Sequence, residues 1–296
     1  MSRFYCNASR RAVIAIGGDD RVSFLQALIS NDVTELPPGH VRWAALLTPQ
    51  GKYLCDFFVA AATGRLLIDV EAPAAADLLT RLKRYKLRAK VTFDLLAESG
   101  VMLGWGEGAA AAFGLAAPGQ GVAIGETMVV VDPRLERLGI RVIGDSAETS
   151  RTLEQAGFIA GEFSAWDVMR LEAGVPDGTR DLVAEQSILL EAGFDELHGV
   201  SWTKGCYIGQ ELTARTKYRA LIKKRLLPVR ITGPAPEFGA LVLQNGKEAG
   251  EMRSVQGDWG LALLRLETLQ QGSYRCGEAT LVPALPDWLN LPAPPV

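Results

Sequence analysis

The chain has 296 residues, a length that favours two domains over one small binding module. Hydrophobic residues make up 48% and charged residues 22%, so the composition indicates a folded globular protein and excludes a disordered one. The 31 basic and 34 acidic residues give a net charge of −3, which argues against a surface built as a whole to hold nucleic acid.

Histidine and cysteine are too few or too scattered for several chemistries. The only histidines, His40 and His198, lie far apart in sequence, which disfavours a zinc site and a Ser-His-Asp hydrolase. The four cysteines are Cys6, Cys55, Cys206 and Cys276. Without a CxxC spacing they predict neither a disulfide framework nor a metal site, and we expect reduced thiols. No stretch reaches the roughly 18 apolar residues of a membrane helix, so we expect a cytoplasmic protein with no membrane partner.

Hydrophobic periodicity and turn residues predict alternating strands and helices up to about residue 220. The predicted strands are Ala12–Ile16, Trp43–Leu47, Tyr53–Ala60, Arg65–Val70, Lys90–Asp94, Thr127–Asp132 and Gly139–Ile143. The predicted helices are Arg21–Ser30, Pro73–Tyr85, Ala147–Gln155 and Ala165–Ala173, with a loosely patterned helix inside Gly104–Gly121. This order indicates a compact α+β region with antiparallel sheet.

The pattern changes at Lys224 to short strands separated by turn residues. Turns are predicted at Gly233-Pro234, Asn245-Gly246 and Gly257-Asp258, and Asn-Gly between two strands is a strong hairpin signal. We therefore expect two domains, an α+β region over residues 1–222 and a small β-barrel over residues 223–296.

The segment from Thr203 to Glu211 places a thiol two residues after an ammonium group. Cys206 follows Lys204 and precedes a helix predicted at Glu211–Thr216. The lysine charge and the helix N-terminus would both favour the thiolate, while the intervening glycines would allow a ligand to approach closely. A small buried cysteine in a glycine-rich turn is the alternative. No histidine is adjacent, so a cysteine-protease mechanism lacks its base.

A second segment predicts a helix with Ser164 as its N-cap and Gly174 as its stop. Arg170 lies one turn from Trp166, whereas Glu172 is displaced around the helix by roughly 120°. A carboxylate can accept two N–H bonds from the guanidine-like edge of a pterin, and an indole can stack on its ring. Ordinary core packing is the alternative for Trp166.

Basic residues concentrate in two stretches, over residues 81–90 and over residues 215–225. Either stretch could bind phosphates or a polyglutamate tail, and solvated helix faces are the alternative.

The motifs resemble a known family. KGCYIGQE at 204–211, LTARTKYR at 212–219 and KKRLLPV at 223–229 resemble the YgfZ family of folate-binding proteins, with its mitochondrial iron–sulfur assembly relatives. RLEAGVP at 170–176 and SNDV at 30–33 are similar to the wider family of the glycine-cleavage T-protein, an aminomethyltransferase.

This resemblance implies a fold of two interleaved α+β lobes and a C-terminal β-barrel around a central channel. It implies binding of tetrahydrofolate, and a role in assembling or repairing iron–sulfur clusters in client proteins, including enzymes that modify tRNA. Cys206 and Lys204 match the family's functional cysteine and lysine. Trp166 and Glu172 match the folate-contacting tryptophan and the pterin-binding glutamate of these families. We expect Arg170, one helical turn from Trp166, and Asp56 to contribute to the same folate site.

The sequence departs from the T-protein pattern in Gly51–Asp56, where only the second acid of a pair, Asp56, is present. Arg11 stands where the family has an N-terminal tryptophan. We therefore expect a folate-dependent accessory factor rather than an aminomethyltransferase. A one-carbon transferase that uses Asp56 and an RNA-binding protein that uses the basic stretches remain alternatives, and direct nucleic-acid binding is not expected.

Overall fold

The computed structural model describes residues 2–219 and 222–291. The chain forms two compact units whose segments alternate along the sequence. The first unit takes in the residues up to Leu47, Cys55–Trp166 and His198–Ile208, and the second takes in Thr48–Leu54, Asp167–Leu197 and the residues from Gly209 onward. The boundary expected between residues 222 and 223 stays a prediction.

The first unit contains two mostly antiparallel sheets. The six-stranded sheet has the strand order β11-β1-β7-β10-β9-β8, from β1 (Arg3–Asn7), β7 (Ser99–Gly106), β8 (Gly121–Ile124), β9 (Thr127–Val131), β10 (Ile140–Asp145) and β11 (Phe158–Ala160). The five-stranded sheet has the order β3-β4-β5-β2-β6, from β2 (Arg11–Gly17), β3 (Val41–Leu47), β4 (Tyr53–Ala62), β5 (Arg65–Glu71) and β6 (Thr92–Leu95). Only β1 and β11 pair in parallel among the strand registers described.

Five α-helices accompany the described strands. They are α1 (Arg21–Gln26), α2 (Ala72–Lys86), α3 (Ser146–Gln155), α4 (Phe163–Glu172) and α5 (Gln210–Tyr218). Helix α2 places Ala75, Leu78 and Leu82 on its buried side, the three- and four-residue spacing expected of an amphipathic helix. Short 3₁₀ turns are found at Ala111–Phe113, Glu136–Leu138, Gly178–Arg180, Leu189–Ala192 and Leu266–Gln271.

A buried ion network ties the two sheets of the first unit together. Arg141 on β10 donates to the Asp69 carboxylate on β5 at 2.6 and 2.8 Å, and Arg11 on β2 donates to the same carboxylate at 2.6 Å. The Arg141 guanidinium also lies 3.9 Å from the ring centroid of Phe58. Because each buried charge has a partner of opposite sign, the network is compatible with the core.

The second unit contains a closed six-stranded barrel. Its strand order is β12-β15-β14-β13-β16-β17, from β12 (Lys224–Thr232), β13 (Leu241–Gln244), β14 (Lys247–Gln256), β15 (Trp259–Arg265), β16 (Tyr274–Cys276) and β17 (Ala279–Pro283). The predicted Asn245-Gly246 turn joins β13 to β14, and both residues have positive φ angles, 50° and 76°, as a two-residue hairpin requires. The α+β class and the C-terminal barrel predicted from the sequence are confirmed.

Three local predictions were wrong. The expected helix inside Gly104–Gly121 is absent, because β7 continues to Gly106 and only the 3₁₀ turn follows before β8. A side chain at Gly104 would come within about 3 Å of Ile140 and Phe158, so glycine serves close packing there. Helix α1 ends at Gln26 rather than at Ser30, because the Ser30 N–H pairs with the Ala45 carbonyl. Ser164 is not an N-cap, since α4 begins one residue earlier.

Candidate functional site

Cys206 is the one exposed thiol of the four in the chain. The other three are buried. Burial raises the pKa of Cys6 to about 12 and also raises the pKa values of Cys55 and Cys276, so these thiols stay protonated and unreactive at neutral pH. The alternative of a buried structural cysteine therefore does not apply to Cys206.

The segment His198–Ile208, which we term the cysteine loop, is anchored by two buried polar side chains. Asn31 Nδ2 donates to the carbonyl oxygens of His198 at 2.7 Å and Trp43 at 2.8 Å. Ser30 Oγ donates to the Gly199 carbonyl at 2.7 Å and accepts from a backbone N–H of β3 at 2.9 Å. Each side chain thus joins the loop to the five-stranded sheet. The SNDV string at 30–33 contains this pair, but no local pattern in it predicts the anchoring role.

Lys204, which lies within the cysteine loop, adds hydrogen bonds in which the loop is the donor. Its Nζ donates to the carbonyl oxygens of Ile29 and Asn31, both at 2.6 Å, and lies 5.3 Å from the ring centroid of Tyr207. Burial lowers the pKa of Lys204 from 10.5 to about 8, and the nearby Asp32 partly opposes that shift. The ammonium group that we expected to serve Cys206 is therefore engaged with two backbone carbonyls.

Asp56 lies in the interior of the first unit. Its side chain is 3% exposed, and its Oδ2 accepts a hydrogen bond from Trp43 Nε1 at 2.8 Å. The Trp43 ring in turn lies 5.6 Å from the Arg134 guanidinium. The Asp56 carboxylate thus satisfies a buried indole N–H.

Trp166 is packed within the first unit. Its indole is 2% exposed, donates to the Leu138 carbonyl at 3.2 Å, and lies 5.7 Å from the Phe163 ring at a tilt of 37°. These contacts fit the core-packing alternative stated for this residue.

Arg170 is fully buried at the centre of a polar network in the second unit, at 0% exposure. It donates to Asp167 Oδ1 at 2.8 Å and to Asp181 Oδ2 at 2.6 Å. It also donates to the Val175 carbonyl at 3.0 Å and to Ser254 Oγ on β14 at 2.9 Å. Four hydrogen bonds to protein atoms leave little donor capacity for a ligand, which favours a structural role for Arg170 over the expected folate contact.

Glu172, the last residue of α4, has an exposed side chain. Of the four expected folate contacts, Trp166, Arg170 and Asp56 are buried, and Glu172 is exposed to solvent. The structure places Lys204, Cys206, Asp56 and Trp166 in the first unit, and Arg170 and Glu172 in the second.

Within residues 2–219 and 222–291, no three His, Cys, Asp or Glu side chains are grouped so as to hold a metal ion. Among the helices of those residues, none combines the length and the apolar character needed to span a membrane.

The C-terminal barrel matches a known family, and nearly the whole chain is similar to known proteins. Residues 223–291 match the family described as the C-terminal β-barrel domain of CAF17. The chain is 32% identical over 303 residues to the mitochondrial iron–sulfur cluster assembly factor IBA57 of Mus musculus, covering 94% of this chain and 83% of that one. It is 31% identical to the Homo sapiens protein of the same name, with the same coverage.

The fold matches that of a solved aminomethyltransferase. The crystal structure of the glycine cleavage system aminomethyltransferase T from Bartonella henselae superposes with a TM-score of 0.77, covering 97% of this chain and 86% of that one at 16% identity. This likeness shows a T-protein-like fold.

The predicted cytoplasmic location is contradicted, because both of these relatives are named as mitochondrial proteins. Unpaired cysteines do not discriminate one reducing compartment from another, so the composition could not support that prediction. At 32% identity over 83% of a relative's length, the chain belongs to the IBA57 family of iron–sulfur cluster assembly factors.

Proposed function

We propose that this protein assists the assembly or repair of iron–sulfur clusters in client proteins, and that it acts through Cys206. The observation that carries the proposal is the exposed Cys206 thiol on a loop fixed by Ser30, Asn31 and Lys204. A thiol held at the surface by a preorganised loop is positioned to meet a partner's cluster, because the loop loses less conformational entropy when the partner binds.

The number of ligands limits what Cys206 can do. An iron–sulfur cluster is normally held by four cysteine or histidine ligands, and the other three cysteines of this chain are buried. Cys206 can therefore supply one ligand or one nucleophilic thiol to a cluster that a partner also holds. The cluster is then cargo in transit, and tRNA-modifying iron–sulfur enzymes are among the proposed clients on the strength of the family resemblance.

Complementation of a deletion strain tests this proposal. A Cys206→Ala copy should fold normally and fail to restore iron–sulfur enzyme activities, tRNA-modifying enzymes included. A Cys276→Ala copy, which removes a buried barrel thiol, serves as the matched control and should restore them. Full rescue by Cys206→Ala at equal protein level would show that the thiol is dispensable.

We further propose that the protein binds a reduced folate, with Glu172 accepting N–H groups of the pterin edge. The T-protein-like fold and the exposed Glu172 carboxylate support this proposal. Of the other expected contacts, Arg170, Trp166 and Asp56 are buried and bonded to protein atoms, so we assign them no direct bond to the ligand.

Calorimetry with tetrahydrofolate tests the folate proposal. Glu172→Gln should weaken binding by about 1.5–3 kcal/mol, the value of a charge-assisted hydrogen bond. Glu278→Gln, which changes an exposed glutamate of the barrel, should leave the affinity unchanged. No detectable binding at millimolar tetrahydrofolate would refute the folate proposal and leave the role of Cys206 to be judged by complementation.

Aminomethyl transfer is the second candidate, and the environment of Asp56 disfavours it. The Asp56 carboxylate is buried and accepts a hydrogen bond from the Trp43 indole, so it is not open to solvent as a base that meets a substrate would be. The protein mixed with the other glycine-cleavage components should release no ammonia above background. Turnover comparable to that of a T-protein would move Asp56 into a catalytic role.

A further inference from the structure

A run of six basic residues and no acidic one covers residues 81–90, from the last turn of α2 to the strand that follows; we term it the basic segment. Arg81 pairs with Asp77. The remaining cations, Lys83, Arg84, Lys86, Arg88 and Lys90, have no ion pair with any described residue. Basic residues near a helix C-terminus are favoured by the helix dipole whatever the function, so the charges alone point to no partner.

Leu87, at the tip of the basic segment, is the feature that the helix dipole does not explain. It is 89% exposed, the highest value among the large hydrophobic side chains described. Lys86 and Arg88 flank it in sequence, and Lys83, Arg84 and Lys90 lie within four residues of it. An isolated, fully exposed leucine gains nothing from the protein's own core.

The backbone at Leu87 is strained. Its φ and ψ angles are 44° and −108°, and the Ala89 N–H donates to the Lys86 carbonyl at 2.8 Å across it. These are the features of a type II′ turn with Leu87 at the position that glycine normally takes. A side chain therefore stands where glycine would relieve the strain, and such outliers are kept where they serve a function.

We propose that the basic segment is a docking surface for anionic phospholipid bilayers, with Leu87 inserted below the headgroups and the surrounding cations on the lipid phosphates. Basic side chains around an exposed aliphatic tip match the charge and polarity profile of a membrane interface. RNA would use the cations but offers no apolar layer for Leu87. A protein interface takes about 20–30 residues a side, more than this protruding turn presents. The inference does not depend on the proposed function, and it departs from the expectation of no membrane partner, which concerned membrane-spanning helices alone.

Sedimentation of the full-length protein with vesicles tests the proposal. Vesicles of equal parts phosphatidylglycerol and phosphatidylcholine should bind the protein at least about tenfold more strongly than pure phosphatidylcholine vesicles. The reason is that each basic residue near an anionic surface adds to the free energy of binding. Raising the salt concentration from 0.05 to 0.5 M, values we set for the assay, should weaken that binding because the charges are exposed.

Two variants separate the charges from the leucine. Leu87→Gly keeps every charge, relieves the turn and should raise or preserve the melting temperature, yet it should lower vesicle binding about tenfold. Arg84→Glu with Arg88→Glu should abolish binding. The control pair Arg151→Glu with Lys247→Glu makes the same net charge change at exposed sites on α3 and β14 and should retain most binding.

Three results would overturn the proposal. The first is no binding to phosphatidylglycerol vesicles at low salt, and the second is unchanged binding by Leu87→Gly. The third is binding of tRNA or of poly-L-glutamate that depends on Arg84 and Arg88 while vesicles do not bind. That result would assign the basic segment to a nucleic acid or to an acidic protein instead.

Discussion

Replacement of Lys204 by methionine should loosen the cysteine loop without unfolding the protein. The ammonium group donates two hydrogen bonds of 2.6 Å to carbonyl oxygens, which together contribute at least about 3 kcal/mol as bonds from a charged donor. Methionine fills a similar volume and makes neither bond. The sign and size of the effect then depend on what it costs to hold the charge in that position.

The pKa of Lys204 sets that cost. A pKa lowered from 10.5 to about 8 corresponds to about 3 kcal/mol against the charged form, at 1.36 kcal/mol for each factor of ten. Because the side chain is partly exposed, solvent screening reduces this cost to roughly 1–2 kcal/mol. The net loss on substitution is then about 1–2 kcal/mol, which corresponds to about a tenfold rise in loop opening.

Hydrogen exchange and alkylation of Cys206 at pH 7.5, the value we choose for the assay, measure this effect. Amide exchange across residues 198–208 should rise about tenfold in Lys204→Met, while the alkylation rate of the already exposed thiol should change less than about twofold. Lys52→Met is the matched control, since Lys52 Nζ donates to the Gln186 carbonyl far from the loop in sequence. If alkylation instead falls about tenfold in Lys204→Met but not in Lys204→Arg, the lysine acts on the thiol through its charge, and the anchoring argument is refuted.

Three further outcomes are expected. Arg170→Met should lower the free energy of unfolding in urea by about 3–5 kcal/mol, because it leaves the buried Asp181 carboxylate without a cation and leaves Asp167 with Arg180 alone; a loss below about 1 kcal/mol would contradict this. Asp56→Asn retains an acceptor for the Trp43 indole and should cost less stability than Asp56→Ala, and equal losses would argue against that bond. Burial raises the pKa of Glu191, so ionisation of this side chain lowers the stability of the folded state as the pH rises through that pKa. Glu191→Gln should therefore stabilise the protein more at pH 8 than at pH 4, as measured by thermal melts at those two chosen values.

The parts of the fold that sequence reasoning predicted well are those set by local chemistry. The Asn245-Gly246 turn was predictable because few residue pairs adopt two consecutive positive φ angles. The predicted helix over Pro73–Tyr85 differs from α2 by one residue at each end, since its apolar residues recur at helical spacing. The helix expected inside Gly104–Gly121 was wrong partly because Gly104, Gly106, Gly119 and Gly121 lie close to distant segments of the chain, which no local pattern records.

The candidate site was predicted only where one residue suffices. Cys206 was singled out from its own segment, whereas its anchors Ser30 and Asn31 lie about 170 residues earlier and meet the loop only in the folded chain. Arg170 was assigned to a ligand because helical spacing gives a direction but not the burial, and Asp181 and Ser254 close around it from distant segments. Polar partners brought together by tertiary structure have no sequence pattern of their own.

The long-range anchoring of the cysteine loop imposes an order on folding during synthesis. Ser30 and its acceptor, the Gly199 carbonyl, are 169 residues apart. At about 5–20 residues per second, the ribosome adds that stretch in roughly 10–30 s. Throughout that interval Ser30 and Asn31 lack their hydrogen-bond partners on the loop. Their polar groups must bond to water instead, so the part of the five-stranded sheet beside them stays exposed to solvent. The segment that carries Cys206 is then the last part of the first unit to pack against the rest. A chain stalled before residue 198 would expose the solvated sheet residues that this segment normally covers, and chaperones and proteases could bind there.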